Sequence, residues 1–454
     1  MFTMWLSPIL PQLTDPDAPL GVTLTEDDIS WLVASEKIGD ILGCLVAAYF
    51  TDYVGRKVVL LFAAVPILVS WIILAIFVVH PSVLISARVL GGIGSGCSFV
   101  VTPMYIGEVS EKDARGRLVT LQSVLSVMGN AIVLIVGPFI NYYHLLLLCG
   151  IFPAIYLVLF FFMPETPFFL VKIGNIDAAR QNVRKLWQRN ADPLMIEDKI
   201  DEIRASVAHD MENKANLWEM FSNKVYRKPL LITLGLRTVL VCSGIFVLVS
   251  YLQMIIGSSH SIISPEVSSI IFGTIQVPSV ILASVLVDNL GRRPLLIISS
   301  IGSALTLTAE GVYFYLQDHT EADINKISWL PTTSMALYLF LVYFGIYVLP
   351  GVVMSELFAI NMKTSSCAFI CIYGSLLGFI VSKSFQPMST NLGKHAPFWI
   401  FASVCFLGSL FGFFILPETK GKSFLEIQQM LNKNKNLSPR TQGVENNSTI
   451  NNYH

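Results

Sequence analysis

The sequence predicts an all-α protein that crosses a membrane many times in two related halves. Three observations predict it. Hydrophobic residues make up 54% of the 454 positions, while Asp, Glu, Lys and Arg supply only 13%, about half the roughly 25% of a soluble domain. Apolar runs matching the roughly 20 residues needed to cross a bilayer recur along the chain. A charged phrase, Asp52-Tyr-Val-Gly-Arg-Lys57, returns as Asp288-Asn-Leu-Gly-Arg-Arg293.

Taken in order, the opening MFTMWLSPIL lacks a basic flank and a small-residue cleavage site, so it does not read as a signal peptide. Met1–Leu13, interrupted by Pro8 and Pro11, is too short to cross and reads as the outer end of a helix whose beginning is absent. Eleven full spans follow, near 30–51, 58–79, 84–107, 117–140, 143–163, 230–257, 266–287, 294–316, 332–358, 365–386 and 397–416. Residues 164–228 change character. They are rich in charge, with helical patterning at Ile176–Arg189 and Ile196–Met211, as in a soluble connector. After Lys422 the tail is polar and Asn-rich. The division is a bundle at 1–163, a connector at 164–228, a second bundle at 229–416 and a tail at 417–454.

Orientation follows from basic residues in short loops. Arg56, Lys57, Lys112, Arg115, Arg117, Arg292, Arg293 and Lys363 all fall on one side, against Asp15, Asp17, Glu26, Asp27 and Asp28 on the other. The basic side, with the connector and the C-terminus, is expected to be cytoplasmic, so the sequons at Asn446-Asn-Ser-Thr stay unused. The seven cysteines lie in or beside apolar runs and read as buried thiols. A net charge of −1 gives no reason to expect a nucleic-acid partner.

The repeat is more than one phrase. Asp52 and Asp288 lie 236 apart, Glu108 and Glu356 248, Arg115 and Lys363 248, and Pro164 and Pro417 253. A fixed order at a near-constant offset indicates duplication, with related elements on one face of the membrane. Each half then has its own tight turn, at Gly55 and Gly291. The cations Arg56, Lys57, Arg115, Arg292 and Arg293 face the acids Asp52, Glu108, Glu165, Asp288, Glu356 and Glu418. Pairs across the halves are expected to latch that mouth, at about 0–1 kcal/mol for each partly exposed pair. The same charges could instead only set topology.

Longer stretches carry a resemblance: Arg88-Val-Leu-Gly-Gly-Ile-Gly-Ser-Gly96, Pro103-Met-Tyr-Ile-Gly-Glu108, Arg115-Gly116, Gln122, Pro164-Glu-Thr-Pro167 and Pro417-Glu-Thr-Lys-Gly421. From about Trp5 to Ile427 the chain resembles the sugar porters of the major facilitator superfamily, especially the insect facilitated trehalose transporters. The resemblance implies two six-helix halves of the major facilitator type and facilitated diffusion of a sugar across the plasma membrane. The halves would rock about a central solute, with no cofactor and no catalysis. It also implies that Gln122 and Gln276 contact the solute; both can donate and accept hydrogen bonds.

The resemblance fails on the seventh helix, where the family's Gln-Gln-x-Ser-Gly-Ile-Asn is Leu240-Val-Cys-Ser-Gly-Ile-Phe246. The usual tryptophan of the tenth helix is Gly351, and an Asn-Trp pair on the eleventh is Gly374-Ser375. Each lost hydrogen bond weakens binding by about 0.5–1.5 kcal/mol. Two alternatives therefore stay open: a carrier of a less polar solute, or a non-transporting sensor or truncated isoform. Met4 stands where proton-driven relatives place a carboxylate, which favours energy-independent transport. Glu36, Lys37 and Asp40 read as a local ion cluster, Lys383 as a residue that snorkels or pairs, and Glu310 and Arg237 as isolated charges. Gly92-Ile-Gly-Ser-Gly96 reads as a helix contact rather than a nucleotide loop.

Overall fold

The structure is a computed structural model that describes residues 2–14, 24–77, 80–110, 112–186, 193–212, 221–222, 224–320, 324–358, 360–422, 426–427 and 430. Within these, the side chains of 112–116, 193, 209–212, 224–225, 324–325 and 360–365 are not described. Arg115 and Lys363 thus lie outside the described side chains, and the tail sequons lie outside the described residues.

The described chain is helical throughout. The first half comprises α1 (Leu6–Thr14), α2 (Glu26–Val54), α3 (Arg56–Ile76), α4 (Pro81–Val109), α5 (Lys112–Val136) and α6 (Tyr142–Phe161). Three short helices follow: α7 (Pro167–Lys172), α8 (Ile176–Leu186) and α9 (Pro193–Glu212). They bury an apolar cluster of their own, with Ala179, Val183, Ile200 and Ile203 at its centre.

In the second half the seventh span is broken into α10 (Lys224–Cys242), α11 (Ile245–Ser250) and α12 (Leu252–Ser258). It continues with α13 (Pro265–Leu290) and α14 (Arg292–His319). The tenth span is α15 (Leu330–Leu341) and α16 (Leu349–Leu357), joined by a π turn over Val342–Ile346. Two more helices, α17 (Ile360–Leu392) and α18 (Ala396–Phe414), complete it.

Ten of the described helical stretches are long and apolar enough to cross a membrane. The sequence reading placed an eleventh span at 30–51. It falls inside α2, whose 29 residues also carry Glu36, Lys37 and Asp40, and these charges set it apart from the ten. The outward faces are apolar: Phe62, Leu147, Phe162, Leu407 and Phe414 are half or more exposed, as a surface solvated by lipid requires.

Helix α2 begins in a capping box. Thr25 accepts from Asp28 N–H at 3.2 Å, and Asp28 accepts from Thr25 N–H at 3.1 Å. Its next contact is with α4, backbone on backbone. A Cβ added at Gly92 would lie 2.4 Å from Glu36 O, and one at Gly96 2.2 Å from Asp40 O. The Gly92–Gly96 stretch is therefore a helix contact, as read. The short α1 is buried along its length through Leu6, Ile9, Leu10 and Leu13, while Trp5 meets the edges of Trp71 and Tyr142.

Candidate functional site: the passage between the halves

At the basic end the two repeated turns fold alike. Gly55 has φ 94° and Gly291 φ 93°, a left-handed conformation glycine adopts without steric cost. A carboxylate fills the space beside each: Glu165 accepts from Lys57 N–H at 3.1 Å, and Glu418 from Arg292 N–H at 3.1 Å and Arg293 N–H at 3.0 Å. Each acid thus caps the first turn of the next helix, where free N–H groups and the helix dipole favour negative charge. The arginine after each glycine turns back into its own half. Arg56 reaches Glu108 at 3.0 Å, and Arg292 reaches Glu356 at 2.7 Å and Asp288 at 3.0 Å. Asp52 is held by Lys172 of α7 at 2.8 Å. Lys57 and Arg293 lie over Phe161 and Phe413.

These pairs show the ring in an arrangement without the expected cross-half contacts. The pairs of Arg56 and Arg292 named above each join groups of one half, because the sharp glycine turn directs each guanidinium under its own bundle.

The two capping acids differ in setting. Burial pushes Glu165 above the ordinary carboxylate range, and the N–H bonds of Thr166 and Lys57 only partly offset it. Burial also acts on the less buried Glu418, but the N–H groups of Lys420, Arg292 and Arg293 outweigh it and hold Glu418 below that range. A carboxyl lowered on folding stabilises above its unfolded pKa and loses that contribution as pH falls through the folded value. A raised one stabilises below its unfolded pKa and loses the contribution as pH rises through the folded value. At pH 7, Glu418→Gln is therefore expected to lower the melting temperature of the purified protein, and Glu165→Gln to leave it unchanged or raise it. Equal losses would contradict the assignment.

At the opposite, acidic end the charges do cross between halves. Lys383 of α17 donates to Asp27 at 2.6 Å and to Ser30 at 2.7 Å, and sits 4.4 Å from the centre of the Trp31 ring. Thr390 donates to Glu26 at 2.9 Å, and Trp31 meets Phe379. Lys383 thus pairs, one of the two roles expected of it. Deeper in, α2 and α4 hold the cluster expected at Glu36, Lys37 and Asp40. It gains a member not expected there: Arg88 Nη2 donates to Glu36 Oε2 at 2.6 Å. Lys37 pairs with Asp40 at 2.9 Å and Glu36 at 3.5 Å, and lies 5.3 Å from the Phe246 ring of the other half.

Midway between the ends, two helices are interrupted. The seventh breaks at Ser243-Gly244, where Gly244 has φ 85°, and the carbonyl of Ser243 is satisfied by the Tyr338 hydroxyl at 2.9 Å. The tenth carries its π turn over Val342–Ile346, a distortion frequent at functional sites. Tyr343 of that turn faces Asn130 of α5, and Tyr347, just beyond it, faces Ser126. Gln122, Ser126 and Asn130 recur every four residues, so they share one face of α5. Ser126 and Asn130 escaped the sequence reading, although this polar stripe in an apolar span was their signal.

Gln276 on α13 is fully buried, with both amide atoms lacking a partner. Gly273 packs on Ala131 and Ile135, so the antiparallel register sets Gln276 level with Asn130. Eight residues separate that level from Gln122, about 12 Å along the axis. The two glutamines therefore occupy different depths. Leu240 and Val241 are 2% exposed in the core, whereas Phe246 is partly exposed below Lys37. At Gly351 an added Cβ would meet nothing within 4 Å, so the space of the absent tryptophan is open.

Compared with known proteins, residues 13–431 match the model of the family described as sugar (and other) transporter. The chain belongs to that family. The transporter is 29% identical to the facilitated trehalose transporter Tret1 of Anopheles gambiae over 94% of its own length, but spans only 53% of that relative. It is 29% identical to the facilitated trehalose transporter Tret1-2 homolog of Drosophila simulans, spanning 86% of it. Its fold matches the inward open conformation of the xylose transporter XylE from E. coli (TM-score 0.76, 24% identity, 94% and 95% of the two chains). It matches XylE bound to 6-bromo-6-deoxy-D-glucose at 0.72, again with 24% identity and 95% of each chain. XylE is described as a major facilitator superfamily protein, and the transporter shares that two-half helical fold.

Proposed function

We propose that the transporter carries a sugar, trehalose or hexose-like, through the plasma membrane by facilitated diffusion with alternating access. The paired breaks in the seventh and tenth helices carry this reading. They leave polar groups of both halves facing each other midway through an apolar body, as solute sites in such carriers require. Bundles 1–163 and 229–416 would rock about this site, with 164–228 as connector and 417–454 as tail.

The basic end is the cytoplasmic one by the loop-charge rule, so the acidic end faces outward. Gln122 and Gln276 contribute solute contacts at two depths, which suits an elongated disaccharide. The ring of Asp52, Arg56, Lys57, Glu108, Arg115, Glu165, Asp288, Arg292, Arg293, Glu356 and Glu418 forms the inner gate, with Asp27 and Lys383 as an outer clasp.

Proteoliposomes holding the purified full chain test the reading. Saturable uptake of labelled trehalose or glucose, unchanged when a proton gradient is collapsed, is expected; no uptake of either sugar would refute it. The outer clasp is exposed on its Asp27 side and therefore weak. Lys383→Ala is expected to shift the halves toward the outward-open form by no more than about fivefold, read as faster alkylation of a cysteine placed at the buried Ala34, one turn further along α2. Unchanged labelling would exclude Lys383 from the clasp.

A further inference from the structure

In the bundle helices, four Lys or Arg side chains among the described residues lie well away from the ends of their spans: Lys37, Arg88, Arg237 and Lys383. Three of them have carboxylates within salt-bridge distance. Arg237 has none among the described residues, and the neighbouring stretch 360–365 contains no acid. Its Nε is buried without a hydrogen-bond partner. Guanidinium stays protonated in any protein setting, and a charge withdrawn from water without a counter-ion is costly.

The surroundings hold that charge at the passage. The guanidinium lies 5.4 Å from the ring centre of Phe99, which belongs to α4 of the opposite half and is 53% exposed. Open space therefore adjoins the cation between the bundles. On the other side it rests against Gly374, where an added Cβ would stand 2.2 Å from Nε. Beside it Thr238 and Tyr373 share a hydroxyl–hydroxyl bond of 2.8 Å, and Tyr347 lies near enough to feel its charge. A half-buried cation, a planar fork of donors and a rim of hydroxyls together match a polyhydroxylated anion. The fork pairs with carboxylate or phosphate, and the hydroxyls suit a sugar body.

We propose that the passage takes a sugar bearing an anionic group, a carboxylate or a phosphate, seated on Arg237. This rests on the reading of the chain as a sugar carrier and narrows its substrate. It also accounts for an arginine that the sequence left isolated: the solute is its counter-ion.

The test is thermal unfolding of the detergent-purified full chain with glucuronate, glucose 6-phosphate, glucose or inorganic phosphate, beside uptake of the labelled sugars into proteoliposomes. One or both sugar anions should raise the melting temperature well beyond glucose, and which one does so names the group. Arg237→Gln should weaken that anion's apparent affinity by about 10- to 100-fold, as loss of a charged hydrogen bond does, with Arg237→Lys falling between. Should Arg237→Gln not fold, the anion preference of the unaltered chain decides alone. Anions acting no better than glucose, inorganic phosphate acting as well as the sugar phosphate, or an Arg237→Gln protein responding as before would each overturn the proposal. Flux of neutral sugar unaffected by either anion would overturn it and leave the carrier reading standing. Anion stabilisation without flux of any sugar would do the reverse.

Discussion

Replacing Arg88 by alanine is expected to destabilise the transporter by about 3–5 kcal/mol, the range for breaking a buried ion pair from one side. The Arg88 and Glu36 side chains are 0% and 3% exposed, and 2.6 Å apart. Arg88 also donates to the carbonyls of Leu32 and Phe2, and Thr3 donates to Glu36 at 2.6 Å. Its loss would leave the buried Glu36 carboxylate with Thr3 and the more distant Lys37 alone, and would take a donor from the carbonyls of Leu32 and Phe2. A double replacement, Glu36→Gln with Arg88→Met, should recover much of the loss, because swapping a buried pair for neutral groups is often nearly neutral. Lys37 keeps Asp40 as its partner in that double variant. Melting temperatures of the purified single and double variants check this. An Arg88→Ala protein that melts with the unaltered one would show that the pair is not buried between α2 and α4.

The second large effect is expected from Gly92→Ala. The new Cβ would fall 2.4 Å from Glu36 O and 2.9 Å from Gly39 Cα. Both obstacles are backbone, so α2 and α4 must move apart. Such overpacking costs about 1–3 kcal/mol, and separating these helices would also stretch the Glu36–Arg88 contact. Gly107→Ala on the same helix is the control. An added Cβ there meets nothing within 4 Å, and removing a helical glycine favours the fold by about 0.5–1 kcal/mol. The two variants should therefore shift the melting temperature in opposite directions. Equal shifts would refute the close crossing.

An ion pair joins the halves at one end of the described structure, while the arginine pairs at the other stay within each half, which bears on the expected inner latch. Asp27 and Lys383 join the halves at the acidic end. At the basic end, Arg56 and Arg292 are occupied by Glu108 and Glu356 of their own halves. A latch across the basic end would require those guanidinium groups, each 9% exposed, to exchange their half-buried partners. Lys57 and Arg293, whose side chains hold a carbonyl oxygen and an aromatic ring rather than a carboxylate, are freer to re-pair as the gate moves.

Much of the architecture was legible from the sequence because its signals are local or repeated. Apolar runs of bilayer length mark the spans, and the recurrent Asp-x-x-Gly-Arg phrase marks a duplication. Gly92 to Gly96 announces a close helix contact through small side chains alone. What only the tertiary structure decided is which charge meets which. Glu36 and Arg88 lie 52 residues apart, and Asp27 and Lys383 356 apart, so no spacing rule links them. The same holds for Arg56 and Glu108. Their pairing depends on where a glycine turn directs a guanidinium, and the sequence shows the turn but not its direction. The depths of Gln122 and Gln276, and the open space beside Arg237, likewise follow from how two bundles face each other. Periodicity within a helix determines its faces; only packing between helices determines what each face meets.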